Sequence, residues 1–103
     1  MIIEYDSLPS GKCPVQSEGK INGKPFYFRA RGGYWALRIA ARPDGDVFAD
    51  DALVHIEEYK GINHARDLEI NDGRFYGAGY AEEGECLEFI SRAAAILTEK
   101  PTP

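Results

Sequence analysis

Apolar and polar residues alternate over residues 15–41, and two turn signals interrupt the alternation. Asn22-Gly23 and Gly32-Gly33 both suit two-residue hairpin loops, because the favoured type I′ turn needs positive φ at both central positions. The pattern therefore predicts a three-stranded antiparallel meander, with strands at about 15–21, 24–31 and 34–41.

Counting outward from the two turns sets the register of this meander. Successive side chains of a strand point to opposite faces, so the register also separates two faces, and both turns assign the same residues to the same face. The predicted apolar face carries Val15, Ile21, Phe26, Phe28, Ala30, Trp35, Leu37 and Ile39. The predicted polar face carries Gln16, Glu18, Lys20, Tyr27, Arg29, Arg31, Tyr34 and Arg38.

Residues 82–98 show a helical spacing instead. Apolar residues recur three and four positions apart, at Cys86, Phe89, Ile90, Ala93, Ile96 and Leu97. The remaining positions carry Glu82, Glu83, Glu85, Glu88 and Arg92. Acids in the first turns suit the helix dipole, and Glu88 and Arg92 form an i,i+4 pair. The apolar stripe of this helix and the apolar face of the meander are each the natural cover for the other.

Two segments between the meander and the helix are less distinct. In residues 51–60 Leu53 and Ile56 fit a helix, whereas Val54 and Ile56 on either side of His55 fit a strand; we favour the strand. Residues 68–80 predict a second hairpin around an Asn-Asp-Gly turn. The fold predicted for residues 1–103 is one small α+β domain, with an antiparallel sheet of about four to six strands packed against the helix.

Charge is unevenly distributed along the 103 residues, which carry a net charge of -5. Residues 1–42 hold seven Lys and Arg against three Asp and Glu, a net of +4, and residues 43–103 hold five against fourteen, a net of -9. The absence of an apolar run near ~18 residues and of a basic leader predicts a cytoplasmic protein with no membrane association. In that compartment Cys13 and Cys86 are expected to be free thiols.

The polar face of the meander is the first candidate site, and it holds Tyr27, Arg29, Arg31, Tyr34 and Arg38. Tyrosine rings beside arginines can stack the bases and bind the phosphates of a single-stranded nucleic acid. The same face could bind another anionic ligand or a protein, or could be only the solvated exterior of a sheet. A sequence pI near 5.0 argues against a dedicated nucleic-acid domain.

Three clusters of carboxylates in the acidic half are the second candidate. Separated acidic clusters on a rigid scaffold can imitate phosphate spacing and occupy a basic protein surface, although ordinary surface solvation would use the same residues. The clusters are Asp44, Asp46, Asp50 and Asp51; Glu57 and Glu58; and Glu82, Glu83, Glu85 and Glu88.

Catalytic, cofactor and metal sites are not predicted. The glycines of residues 77–82 resemble part of a dinucleotide fingerprint, but carboxylates follow where a pyrophosphate would lie. The two histidines form no motif, and no Cys-x-x-Cys spacing occurs. We expect a non-enzymatic protein without a cofactor or metal, acting as a monomer or homodimer.

Residues 13–37, CPVQSEGKINGKPFYFRARGGYWAL, resemble a segment of short proteins from bacteriophages and proteobacterial prophages. A looser similarity covers AGYAEEGECLEFI at residues 78–90. The resemblance spans about a third of the chain and concerns sheet residues, so it implies a shared fold more than a shared activity. The resemblance implies that the protein inhibits a host factor, for example as an anti-CRISPR protein that binds a host defence complex.

Overall fold

The computed structural model describes residues 1–12, 14–60, 78 and 81–99. The hairpin expected over 68–80 and the side chain of Cys13 lie outside the described residues, apart from Ala78. The elements in chain order are β1 (Ile3–Ser10), β2 (Val15–Ile21), β3 (Lys24–Arg31), β4 (Tyr34–Ile39), β5 (Leu53–Glu58) and α1 (Glu83–Thr98). The strands form one antiparallel sheet in the order β1-β2-β3-β4-β5.

The predicted α+β fold is confirmed, as is the register of the meander. Phe28 lies opposite Ser17 on one side and Leu37 on the other. The turn between β2 and β3 has positive φ at both central residues, 52° at Asn22 and 79° at Gly23, as a type I′ turn requires. The assignment of side chains to the two faces is also confirmed, because all eight residues of the predicted apolar face are buried.

Residues 3–10 form a strand that the sequence pattern did not predict. β1 pairs with β2 through Ile3 opposite Ile21, and the pairing is irregular beyond Tyr5. The backbones of the two strands approach closely at Gly19, where an added Cβ would lie 2.0 Å from the carbonyl oxygen of Glu4. A glycine in the middle of β2 is therefore required by its neighbour strand.

Segment 51–60 contains a strand, as favoured from the sequence, and β5 pairs with β4 along its whole length. Trp35 faces Glu57 and Ala36 faces Ile56. Val54, Ile56 and Glu58 therefore share the outer face of the sheet, while Leu53, His55 and Glu57 lie on the face that carries α1.

Helix α1 covers the inner face of the sheet, as expected. Its ring contact with the sheet is a parallel stack of Phe89 on Trp35, with centroids 4.9 Å apart and planes 4° apart. The prediction that Ile96 belongs to the buried stripe of the helix was wrong. Ile96 is 49% exposed, because the helix turns Ala94 towards the core instead. The expected pairing of Arg92 with Glu88 was also wrong: Arg92 Nη2 lies 2.8 Å from Glu57 Oε1, and its guanidinium packs over the Trp35 ring.

Candidate functional site

The outer face of β3, β4 and β5 brings the aromatic and arginine side chains of the meander together. Antiparallel pairing places Tyr34 between Arg31 and Glu58, and Ala36 between Arg29 and Ile56. In the next row Arg38 lies between Tyr27 and Val54. We call the surface formed by these three rows and the ring of Phe48 the outer patch.

Large aromatic and aliphatic side chains are exposed on the outer patch. Tyr34 is 60% exposed and Ile56 is 62% exposed, and the two are diagonal neighbours on adjacent strands. Phe48, which belongs to the connection between β4 and β5, is 61% exposed. Its ring packs on Tyr27 with centroids 5.4 Å apart, and the guanidinium carbon of Arg38 lies 5.5 Å from its centroid.

Phe48, Val54 and Ile56 were missed as candidate site residues. The alternation around His55 indicated a strand, but it did not show which side of that strand faces the core. A thirteen-residue connection from 40 to 52 does not determine register as a two-residue turn does. The signal for the outer patch therefore lay in the pairing of β5 with β4, which only the folded chain provides.

Arginines border the apolar part of the outer patch along β3. Arg29 and Arg31 are exposed, and no carboxylate in the described part of the chain lies within ion-pair distance, 4.0 Å, of either guanidinium. Arg38 is half-buried against Phe48. Two exposed guanidinium groups beside exposed rings can stack on planar groups or bind anions.

The predicted acidic residues do not form one surface. Asp44, Asp46, Asp50 and Asp51 lie exposed on the connection between β4 and β5, while Glu58 is exposed on the outer face near the other end of β5. The two ends of this strand are about 17 Å apart at a rise of about 3.4 Å per residue. The helix carries the remaining exposed acids, Glu82, Glu83 and Glu88.

Two of the predicted acids make contacts between elements of the fold. Glu57 bridges His55 and Arg92, with carboxylate-to-nitrogen distances of 3.0 Å and 2.8 Å. Glu85 accepts hydrogen bonds from the hydroxyl of Tyr59, at 2.9 Å, and from the backbone N–H of Glu82, at 3.0 Å. These two carboxylates connect the helix to β5 and to Tyr59, which directly follows it.

Cys86 is fully buried on the sheet-facing side of α1. Burial and, to a smaller extent, the neighbouring carboxylate of Glu85 together raise the pKa of its thiol to about 12. A thiol with such a pKa carries almost no thiolate at neutral pH, so this cysteine is a poor nucleophile and metal ligand. Its contribution is to packing.

Across the described ranges, no three His, Cys, Asp or Glu side chains gather as a metal site would require. No helix in that part of the chain has the length and apolar character needed to cross a bilayer. The chain was also compared with protein-family models, curated proteins and solved structures, and no match was found in any of the three.

Proposed function

We propose that this chain is a non-enzymatic protein-binding module that contacts its partner through the outer patch. The observation that carries the proposal is the exposure of two neighbouring side chains of this patch, Tyr34 on β4 and Ile56 on β5. Both belong to strands whose other face is packed under α1, so the fold does not need them for its own core. Contiguous exposed apolar groups with a polar border are typical of protein interfaces.

The composition of the outer patch also supports a protein partner. Tyrosine and arginine are the residue types most enriched among those that dominate binding energy, and aliphatic side chains fill the spaces around them. Tyr34, Arg31 and Ile56 combine these types on neighbouring strands. An antiparallel sheet holds them on a rigid surface, which lowers the entropy lost on binding.

We propose further that the partner carries basic groups around the contact. Glu58 flanks the outer patch at one end of β5, and the four aspartates of the β4–β5 connection flank it at the other. The exposed helix acids add to the negative potential of residues 43–103. Such a distribution accelerates association with a basic protein surface and aligns it before contact.

The resemblance of residues 13–37 to phage proteins extends the proposal to a biological setting. In that setting the partner is a host protein in the bacterial cytoplasm, and the module inhibits it by covering a basic functional surface. A host defence complex that handles nucleic acid would present such a surface, because it must bind phosphates.

A second candidate function is the binding of single-stranded nucleic acid or another anionic ligand. The specific observation in its favour is the exposure of Arg29 and Arg31 on β3, beside Tyr34. Guanidinium groups and a tyrosine ring could bind a phosphate and stack a base. The negative charge at both ends of β5 opposes this function, so we rank it second.

Affinity capture from a bacterial lysate, with a matched surface control, tests the first proposal. Tyr34→Ser with Ile56→Ser removes the two most exposed large hydrophobic side chains that the outer patch takes from its strands β4 and β5, whereas Leu8→Ser with Ile96→Ser removes two apolar groups that are 51% and 49% exposed elsewhere. A protein held by the wild type and by the control, but at least about tenfold less by the patch variant, supports the proposal. Equal capture by the patch variant contradicts it.

A gel shift with mixed single-stranded oligonucleotides addresses the second candidate. A shift that disappears in the Arg29→Ala, Arg31→Ala variant, together with no protein captured in a patch-dependent way, would favour nucleic acid over a protein partner. Melting temperatures near that of the wild type would show that each variant folds.

A further inference from the structure

An open cleft of about 410 Å³ lies at one end of the outer patch. It runs between the β4–β5 connection and the strands β1 to β3. Tyr27 and Phe48 form its aromatic part, and carboxylates enter its lining from three separate elements: Asp6 from β1, Glu18 from β2 and Asp46 from the connection. A cleft of this kind was not apparent from the sequence, because its lining residues are far apart along the chain.

The lining of the cleft is negatively charged. Among the described residues that line it are three carboxylates and no lysine, arginine or histidine. Asp6, Glu18 and Asp46 are all exposed to solvent. The cleft therefore favours a cationic occupant over a neutral or anionic one.

The aromatic part of the cleft is held in place by neighbouring groups. The Tyr27 hydroxyl donates a hydrogen bond to the side-chain oxygen of Gln16 at 2.7 Å. The backbone N–H of Phe48 donates to one carboxylate oxygen of Asp46 at 2.9 Å, which sets the turn that carries the ring. Arg38 already lies over Phe48 at 5.5 Å, so this ring accepts a guanidinium at cation–π distance within the chain itself.

We propose that this cleft binds an arginine side chain of the partner protein. A guanidinium is planar, so it can lie against the Tyr27 and Phe48 rings while its N–H groups reach the surrounding carboxylates. A lysine ammonium would satisfy the charge but offers no plane to stack. The assignment of the arginine to a partner rests on the function proposed above, and it specifies what the basic partner places beside the outer patch.

The chemistry of the cleft can be measured without a partner. The probe is N-acetyl-arginine amide, and its control is the citrulline analogue, which keeps the shape and loses the charge. Backbone amide shifts of the ¹⁵N-labelled protein are followed at about 150 mM salt, where the screening length is about 8 Å. Saturable shifts at Gly19, Gly45 and Val47 with the arginine compound only, in the millimolar range, are the expected result.

Matched variants separate the cleft from general electrostatic attraction. Asp6→Asn with Glu18→Gln removes two charges from the lining, whereas Asp50→Asn with Asp51→Asn removes two charges from the connection outside it. The first pair should weaken binding of the arginine compound at least about tenfold and the second by less than about twofold. Phe48→Ala should also weaken it, and because Phe48 is largely exposed the variant should melt near the wild type.

Equal binding of arginine and citrulline compounds, or equal losses in the two charge pairs, would overturn the proposed arginine site. These outcomes are independent of the capture experiment. If the cleft binds arginine but capture does not depend on Tyr34 and Ile56, the arginine site is supported and the proposed function is contradicted. If capture depends on the outer patch but the cleft does not bind arginine, the proposed function is supported and the arginine site is contradicted.

Discussion

The carboxylate of Glu85 accepts a hydrogen bond from the hydroxyl of Tyr59, with both carboxylate oxygens within 3.1 Å of that hydroxyl. Tyr59 is buried directly after β5, and Glu85 lies in the first turn of α1, where it also accepts a hydrogen bond from the backbone N–H of Glu82. This contact joins the helix start to the sheet. An acid that the charge pattern suggested as a binding residue is therefore part of the internal structure.

Replacing Glu85 with Gln should lower the free energy of unfolding by about 1–2 kcal/mol, because a neutral amide is a weaker acceptor for these two donors. The exposed Glu88 on the same helix is the matched control, and Glu88→Gln should change stability by less than about 0.5 kcal/mol. Urea denaturation followed by circular dichroism measures both. Equal effects would show that the Tyr59 contact does not stabilise the fold.

Phe28 and Tyr27 test the assignment of the two sheet faces. Phe28 is fully buried beneath α1, so Phe28→Ala should lower the free energy of unfolding by about 3–5 kcal/mol. Tyr27 lies on the opposite face, and Tyr27→Ala should cost less than about 1.5 kcal/mol. Denaturant melts of the two variants give the ranking, and the reverse order would mean that the register is displaced by one residue.

Gly19 and Gly84 provide a contrast between two glycine-to-alanine changes. A Cβ at Gly19 would collide with the Glu4 carbonyl oxygen and would lie 2.8 Å from the Phe26 ring, so Gly19→Ala should destabilise the protein by about 1–3 kcal/mol. A Cβ at Gly84 meets nothing within 4 Å. Because alanine is the better helix former, Gly84→Ala should stabilise by up to about 1 kcal/mol. Thermal melts distinguish the two signs.

Cys86 should react only when the protein unfolds. In a Cys13→Ser variant, alkylation of the remaining thiol at pH 8 should be at least about a hundredfold slower in the native protein than in urea, because burial keeps the thiol inaccessible and protonated. The pKa is raised in the folded state, so the unfolded chain ionises first as the pH increases. The contribution of this thiol to the free energy of unfolding should therefore be constant below the ordinary thiol pKa, and it should be lost as the pH rises towards about 12.

A difference between Cys13→Ser and a Cys13→Ser, Cys86→Ala double variant isolates this dependence on pH. Parallel stability curves for the two proteins above pH 9 would contradict it. Native labelling as fast as in urea would show that the thiol is accessible.

The exposed helix acids should affect the rate of partner association more than its final strength. Glu83→Lys with Glu88→Lys reverses two charges and leaves the internal contacts of Glu85 intact. Association should slow several-fold at low salt and approach the wild-type rate as salt rises, since screening shortens the reach of the charges to about 8–10 Å. Surface plasmon resonance across a salt series measures this. A salt-independent defect would instead indicate direct contact of the helix with the partner.

The sequence by itself determined the meander from β2 to β4, because each two-residue turn leaves one register and strand parity then assigns every side chain to a face. For that reason the sequence alone places five polar-face side chains on one surface: Tyr27, Arg29, Arg31, Tyr34 and Arg38. The helix was predictable to within a residue of its start, since its apolar spacing is unbroken from Cys86 to Leu97.

Tertiary structure alone decided which residues complete that surface. Phe48 lies within the β4–β5 connection and Ile56 follows it, and this connection is too long to determine register. Their place on the outer face therefore depends on the pairing of β5 and on the packing of Phe48 against Tyr27. Asp6 and Glu18 share a cleft only because β1 and β2 are adjacent in the sheet. Long-range pairing also directs Arg92 to Glu57 and Glu85 to Tyr59, since a charged side chain binds the partner that the fold brings nearest and local spacing along the chain does not reveal that partner.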